Sequence, residues 1–330
     1  MLGALLSGAK EPPSSVSFVR VQFVVEPNYA GWRLDRYLHD KIRRLSRTRI
    51  QMLIEDRLES GGKKLKPSSR VAPGLTFWLL KQEEPEPETP LEFGVVHDDG
   101  HLLIVNKPAG LPIHPTARYS AHTFTALARA RYPDRKVDPA HRLDRETSGL
   151  LVCGSSPEVT GALKRFFANG RVEKTYLALA MGAPRQNAFE VSAPLALNGS
   201  STVRVRMHVD PAGQPSTTGF QVLERRRTAD GEPVALLACR PRTGRQHQIR
   251  AHLRHVGFPI AGDKIYGPDE AIFDRFSRGE MTDADRVLLR LPRHALHAWK
   301  LSLPHPKTRE PTSFEAEMPE DMRVFWDDCA

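Results

Sequence analysis

The stretch AHRLDRETSGLLVCGSS, residues 140–156, sets one carboxylate, Asp144, between Arg142 and Arg145. The turn formers Thr147, Ser148 and Gly149 follow, and the chain then runs into the apolar segment Leu150, Leu151, Val152 and Cys153. Turn formers ahead of a strand leave Asp144 on a loop at the strand's mouth, where reacting groups commonly sit. Arginines beside a carboxylate lower its pKa and keep it ionised at neutral pH as a nucleophile or base. The same pattern also serves a structural salt bridge. The rest of the chain decides between the two.

Working outward, strand-like segments recur at Val95-Val96, His101 to Val105, Gly149 to Val152, Thr175 to Leu179 and Val234 to Ala238. Helices are interspersed. Ser156 followed by Pro157 is a helix start, with Val159, Leu163 and Phe167 on one face and Asn169-Gly170 as the stop. Thr243 is expected to cap a second helix that turns Ile249, Leu253 and Val256 inward and ends at Gly257. Helices and strands do not alternate strictly, so the fold class expected is α+β, with a mixed, largely antiparallel sheet.

The segment 81–92 is rich in glutamate and proline and nearly free of apolar residues, which disfavours both a helix interior and a packed strand. It reads as a linker between a domain at residues 25–80 and a second at 93–330, with residues 1–24 a disordered tail. In the first domain, Leu34, Tyr37, Leu38 and Ile42 fall at helical spacing, and Ser46 caps a run with Ile50, Leu53 and Ile54 inward. Gly61-Gly62 makes a turn, and short strands are expected around Pro73-Gly74.

The chain of 330 residues carries a formal charge of +9. Between Gly31 and Arg70 stand twelve basic residues against five acidic ones. Such a block points to an anionic partner such as RNA or DNA, and Arg43, Arg44, Arg47, Arg49, Lys63 and Lys64 are its candidate contacts. Cys153, Cys239 and Cys329 are odd in number and unpaired in spacing, which excludes a disulfide framework and fits a reducing cytoplasm. No segment approaches the roughly 20 apolar residues of a membrane span, so no membrane partner is expected. His252 and His255 lie three apart, but nothing nearby completes a ligand set, so no metal is expected.

Residues 141–149, HRLDRETSG, resemble the signature of RluA-type RNA pseudouridine synthases, with Asp144 at the place of the family's indispensable aspartate. Residues 105–112 (VNKPAGLP), 174–178 (KTYLA) and 242–250 (RTGRQHQIR) resemble further segments of that family in the same order. Residues 33–79 resemble the small RNA-binding domain named after ribosomal protein S-four. The resemblance implies a pseudouridine synthase fold with a central cleft. It also implies isomerisation of uridine to pseudouridine within RNA, without cofactor. In that reading Asp144 attacks the ribose or takes a proton from it, and Arg245 pairs with Asp144. Tyr176 stacks on the extruded uracil and assists proton removal from carbon 5, while Arg142 enters the vacated space or holds a phosphate. The domain order resembles members acting on large-subunit ribosomal RNA. Transfer RNA is the alternative substrate, and a non-catalytic RNA-binding protein or a metal-dependent nuclease the alternative class. A monomer is expected.

Overall fold

The structure is a computed structural model that describes residues 18–42, 45–62, 64–82, 86–116, 118–201, 203 and 205–330. The chain divides into two compact units, Met1–Pro85 and Glu86–Ala330.

In the first unit, β1 (Phe18–Val24), β2 (Leu58–Ser60) and β3 (Thr76–Gln82) form an antiparallel sheet in the order β1-β3-β2. Helices α1 (Leu34–Lys41) and α2 (Arg47–Arg57) cover its apolar face. The 3.6-residue spacing buries Leu34, Tyr37, Leu38, Ile50 and Ile54 against Phe77 and Leu79. Ser46 caps α2 by accepting from the Arg49 amide at 3.3 Å. Phe18–Val24, expected to belong to a disordered tail, is instead a strand in full register with β3, its seven residues paired from Phe18 to Val24. Residues 1–17 lie outside the described residues. Of the short strands expected around Pro73-Gly74, the one after the turn forms as β3, while the described residues 64–75 hold no strand; Val71 there exchanges backbone bonds with Gly31 and Trp32.

The second unit contains β4 (Gly94–Asp98), β5 (Leu102–Lys107), α3 (Phe124–Arg131), β6 (Asp138–Pro139), β7 (Ser148–Gly154), α4 (Pro157–Ala168) and β8 (Glu173–Met181). It continues with β9 (Ala188–Ser192), β10 (Leu195–Leu197), β11 (Met207–Val209), β12 (Thr217–Arg227), β13 (Pro233–Pro241) and α5 (Gln248–His255). The chain closes with α6 (Ala271–Arg278), α7 (Asp283–Leu289), β14 (Leu296–Pro304), β15 (Pro311–Glu315) and α8 (Glu320–Asp327). The large sheet runs β4-β5-β7-β14-β8-β13-β12-β9, with β6 on β7 and β15 on β14. Among its described pairs only β7 and β14 are parallel, so the sheet is mixed and largely antiparallel. No described helix is long and apolar enough to cross a membrane.

One row of residues crosses the middle of this sheet: Gly149 on β7, Ala298 on β14, Tyr176 on β8 and Cys239 on β13. Gly149 has φ +105°, and a Cβ there would lie 2.3 Å from the Ala298 carbonyl oxygen. Only glycine allows the two parallel strands to meet. That is what the last residue of the HRLDRETSG run does: it brings the loop holding Asp144 to the sheet's centre. Two apolar cores flank the row, one under β5, β7, α3 and α4, the other under β8, β13, α5 and α8, and Tyr176 packs against both.

The helix expected to begin at Thr243 begins at Gln248. Thr243 is drawn instead into the side chain of Gln248, whose Oε1 accepts from Thr243 Oγ1 (2.7 Å) and the Arg245 amide (3.0 Å). The Gln248 Nε2 donates to the Thr217 carbonyl and to Thr218 Oγ1, both at 2.9 Å. The buried amide thus satisfies itself on four sides and holds residues 243–247 as a loop.

Candidate active site

Asp144 lies on the floor of a cleft of about 1350 Å³, above the 300–1000 Å³ typical of small-ligand pockets and roomy enough for a polymer segment. Tyr176, His141 and Phe167 line it, together with five basic side chains, Arg142, Lys174, Arg240, Arg242 and Arg245. Asp144, Tyr176, Arg142 and Arg245 are thus brought to one cleft. Of the basic residues expected to touch RNA in the first unit, Arg47, Arg49 and Lys64 are exposed. Arg43, Arg44 and Lys63 lie outside the described residues.

The partner of Asp144 differs from the expectation. Arg250 on α5 donates through Nη1 to Asp144 Oδ2 at 2.8 Å, while its Nε and Nη2 grip Asp263 at 2.7 and 2.9 Å. Arg245, expected to make that pair, lies exposed on the loop held by Gln248 and donates to the Pro215 carbonyl at 3.3 Å. The physical reason is the late helix start: on α5, residue 250 faces inward, whereas residue 245 sits on the loop before it. Nor do the flanking arginines hold the charge. Arg145 turns to Tyr119 and Glu146, and Arg142 is exposed on the cleft wall.

Asp263 is fully buried and accepts the Ile265 and Tyr266 amides at 2.9 and 3.0 Å besides Arg250. Arg250 is therefore fixed from behind by a second carboxylate, and its remaining nitrogen presents a rigid donor to Asp144. Burial alone would raise the Asp144 pKa, but His247, Arg250 and His294 outweigh it and bring it to about 2. Burial, with Arg250 next in size, pushes His247 down to about 4 and His294 to about 3. At neutral pH both imidazoles are uncharged, and Arg250 is the cation that keeps Asp144 ionised.

The loop carrying Asp144 is pinned on both sides. Lys107, fully buried at the end of β5, donates Nζ to the carbonyls of Pro108 (2.8 Å), Leu111 (2.9 Å) and Arg145 (3.0 Å). Burial, then the charge of Arg293, lowers it to about 7. Its three bonds tie the 107–111 turn to the loop. Glu146 accepts from Lys264 Nζ at 2.9 Å, and Thr147 Oγ1 bonds His294 Nε2 at 2.8 Å. Arg293 adds a bond to the Glu146 carbonyl while its fork holds Asp321 at 2.6 and 2.8 Å.

Tyr176 is half-buried on β8 at the seam between the two cores. Burial, reinforced by the charge of Asp144, pushes its phenol well above its ordinary value. It stays protonated at neutral pH. His141 lies stacked on Phe167 at 4.6 Å, and its Nε2 accepts the Val152 amide at 3.1 Å, so its ring is a neutral wall of the cleft. The metal candidate His252 has both ring nitrogens engaged, with Thr218 Oγ1 (2.9 Å) and the Ala193 carbonyl (3.0 Å).

A model of the RNA pseudouridylate synthase family matches residues 101–255. The ribosomal large subunit pseudouridine synthase D of Nitrosomonas europaea is 33% identical over 325 residues, covering 92% of this chain and 86% of that protein. The chain belongs to the RNA pseudouridylate synthase family. The ribosomal large subunit pseudouridine synthase C of Escherichia coli is 32% identical over 306 residues, 89% of this chain and 92% of its own. Among solved structures, human RNA pseudouridylate synthase domain containing 1 superposes with a TM-score of 0.56 at 28% identity, over 70% of this chain and 86% of that one. The family's fold and its isomerase activity on RNA are accordingly those of this chain.

In this synthase, Arg250, Asp263, Lys264, His294 and the Tyr266–His247 pair complete the surroundings of Asp144; sequence reading assigned none of them a catalytic role and took the segment from Gly257 to Gly267, with Asp263 and Tyr266, only as a connection supporting the site. Arg250 stood within the 242–250 motif, but choosing between its arginines required the start of α5. His294 and Lys264 carried no local signal, because they reach the loop only through the fold.

Proposed function

We propose that this synthase isomerises uridine to pseudouridine in large-subunit ribosomal RNA, with Asp144 as the reacting carboxylate. The observation that carries the reading is one ionised carboxylate, held by Arg250 on the floor of a basic cleft, beside an aromatic ring that stays neutral. Asp144 attacks the ribose or takes a proton from it; either step needs the charge that Arg250 maintains. The bond between ribose C1′ and uracil N1 breaks, the uracil turns, a bond forms between C1′ and carbon 5, and the proton lost from carbon 5 is matched by one gained at N1, so atoms balance and no redox partner is needed. Reaching the base requires extruding it from its stack, at a cost of a few kcal/mol, which stacking on Tyr176 offsets at about 1–3 kcal/mol per base. Arg142, Arg240, Arg242 and Arg245 meet the phosphates on either side, adding salt-dependent affinity without sequence information.

The first unit, whose sequence resembles an S-four RNA-binding domain, adds further cations. Arg47 and Arg49 sit in the first turn of α2, and Lys64 and Lys66 line a shallow pocket of about 490 Å³ with Arg33. Ribosomal RNA is favoured over transfer RNA because the relatives named above are ribosomal large subunit enzymes aligned over nearly the whole of this chain. We take the protein to work in the cytoplasm as a monomer.

The test is incubation of the protein with unmodified large-subunit ribosomal RNA and, separately, unmodified transfer RNA, without added metal, followed by pseudouridine quantification. Product from ribosomal RNA, abolished by Asp144→Asn with RNA binding intact, is expected. Product from transfer RNA alone would move the substrate. RNA binding without product from either would favour a binding protein, and metal-dependent chain cleavage a nuclease.

A further inference from the structure

The two oxygens of Asp144 have different surroundings. Oδ2 is bonded to Arg250, whose other nitrogens are fixed on Asp263, so this oxygen cannot swing without breaking a buried network. Oδ1 faces His247 Nε2 at 3.8 Å. That gap is too long for a hydrogen bond and closes with a shift of less than about 1 Å.

His247 is built for that contact. It is the residue before α5, in the left-handed region at φ 53°, ψ 18°. Such a backbone is uncommon for a residue with a side chain and persists where the surroundings enforce it, often at functional sites. Its ring meets Tyr266 edge-on, with Nδ1 3.0 Å from the Tyr266 hydroxyl. The hydroxyl oxygen already accepts the Met207 amide at 2.8 Å, which frees its own proton for Nδ1. An imidazole that accepts at Nδ1 carries its proton on Nε2, the nitrogen turned to Asp144. Burial keeps the ring neutral at physiological pH, as a donor that adds no second cation beside the carboxylate.

We infer that His247 is a positioning residue for Asp144: its Nε2–H, fixed in that tautomer by the Tyr266 hydroxyl, closes on Oδ1 when RNA enters and sets the carboxylate's angle to the ribose. This rests on the role of Asp144 given above and adds a second hand to it. Arg250 supplies the charge and one anchor; His247 supplies orientation. With one anchor the carboxylate pivots about its bond to Arg250. With two, its plane is set.

The experiment is single-turnover pseudouridine formation by the full-length protein on an unmodified large-subunit ribosomal RNA transcript, with RNA affinity measured separately. His247→Leu removes the donor, and its rate is expected to fall about 100-fold, the scale of a 1 Å misplacement, while affinity stays within about threefold. His247→Gln returns an N–H near the Nε2 position and is expected to recover at least about a tenth of the wild-type rate, which a purely structural role would not produce. Tyr266→Phe is expected to slow the rate less than His247→Leu and to add nothing in the double variant, because both act through one tautomer. His247→Leu at a wild-type rate, a loss confined to RNA affinity, or multiplying effects of the two substitutions would each overturn the inference. A wild-type protein inactive on this transcript but active on transfer RNA would move the same measurements to that substrate, and inactivity on both would overturn the assignment of Asp144 and this inference with it. If His247→Leu fails to fold, His247→Gln and Tyr266→Phe decide the matter by the same criteria.

Discussion

Replacing Arg250 with methionine keeps much of its length and removes its charge. Arg250 is 5% exposed at the side chain and makes one bond to Asp144 and two to Asp263, itself wholly buried. The variant leaves two carboxylates facing the site of the missing cation. Breaking a buried pair from one side costs about 3–5 kcal/mol, because the remaining charge is uncompensated. The pH dependence separates this from a packing defect. In the wild type both carboxylates titrate below their unfolded values, Asp144 at about 2. Their contribution is therefore present above the unfolded pKa of about 3.9 and lost as pH falls through the folded one. In Arg250→Met, burial and mutual repulsion raise the folded values above the unfolded ones, which reverses the sign. The deficit then grows as pH rises from about 4, by about 1.4 kcal/mol for each unit of upward shift per carboxylate, and levels off above the raised pKa. We expect a deficit of about 3–5 kcal/mol at pH 8 and no more than about half of that at pH 4.5. The assay is urea unfolding read by pulsed hydrogen exchange on peptides from β7 and β14, which reports the second unit alone. Adding Asp144→Asn to Arg250→Met removes one uncompensated charge and is expected to recover at least about 1 kcal/mol at pH 8. Equal deficits at the two pH values, or no recovery in the double variant, would refute the electrostatic account and leave only packing.

Further outcomes follow from the same geometry. With Asp144 at about 2 and the Tyr176 phenol raised, neither group is expected to limit the single-turnover rate from pH 6 to 9, where Lys107, at about 7, is the group beside the loop that titrates; an acid limb near pH 5 would mean a different reacting group. Gly149→Ala is expected to cost more than about 2 kcal/mol, because its Cβ would meet the Ala298 carbonyl at 2.3 Å, whereas Gly170→Ala, with open space around it, should cost about 1 kcal/mol. Melting curves of the pair check this. Removing Arg142, Arg240 or Arg242 singly should weaken RNA binding alike for all sequences and lower the slope of log affinity against log salt by about 0.7–0.9 for each phosphate left without its cation. Glu86 accepts from the Ser120 hydroxyl and from the amides of Ala121 (2.8 Å), His122 (2.9 Å) and Ser120 (2.6 Å), which together hold its carboxyl at about 2. Glu86→Ala should therefore speed hydrogen exchange of those three amides without changing exchange in β7.

The fold class was legible because it depends on local signals. Apolar runs of four to six residues with interspersed capped helices give a mixed sheet, and Ser46 and Ser156 cap α2 and α4 where their sequence context puts them. The reading failed where a distant partner outbid the local signal. Phe18–Val24 carries arginine and glutamine between its apolar residues and gains its strand only from β3. Thr243 looks like a cap, but Gln248 takes its hydroxyl. The site divides in the same way. Asp144 and Tyr176 announce themselves by motif, whereas Asp263 reaches Arg250 only because the 260–267 segment folds back under α5, and no spacing rule encodes that.

Which arginine holds Asp144 bears on how the cleft works. Had Arg142 or Arg145 paired with Asp144, as their adjacency suggests, the cation would sit at the cleft mouth, where an arriving phosphate competes for it and unpairs the aspartate as substrate binds. Holding Asp144 from behind with a 5%-exposed Arg250, itself tied to a buried Asp263, removes that competition. It also leaves Arg142 exposed on the wall for the RNA. The carboxylate and the phosphates then draw on different cations. The rate constant for the bound complex should accordingly be insensitive to salt over the range in which RNA affinity falls steeply. If the two fall together, the charge on Asp144 is set by a cation at the mouth, and the division of labour between Arg250 and the rim is wrong.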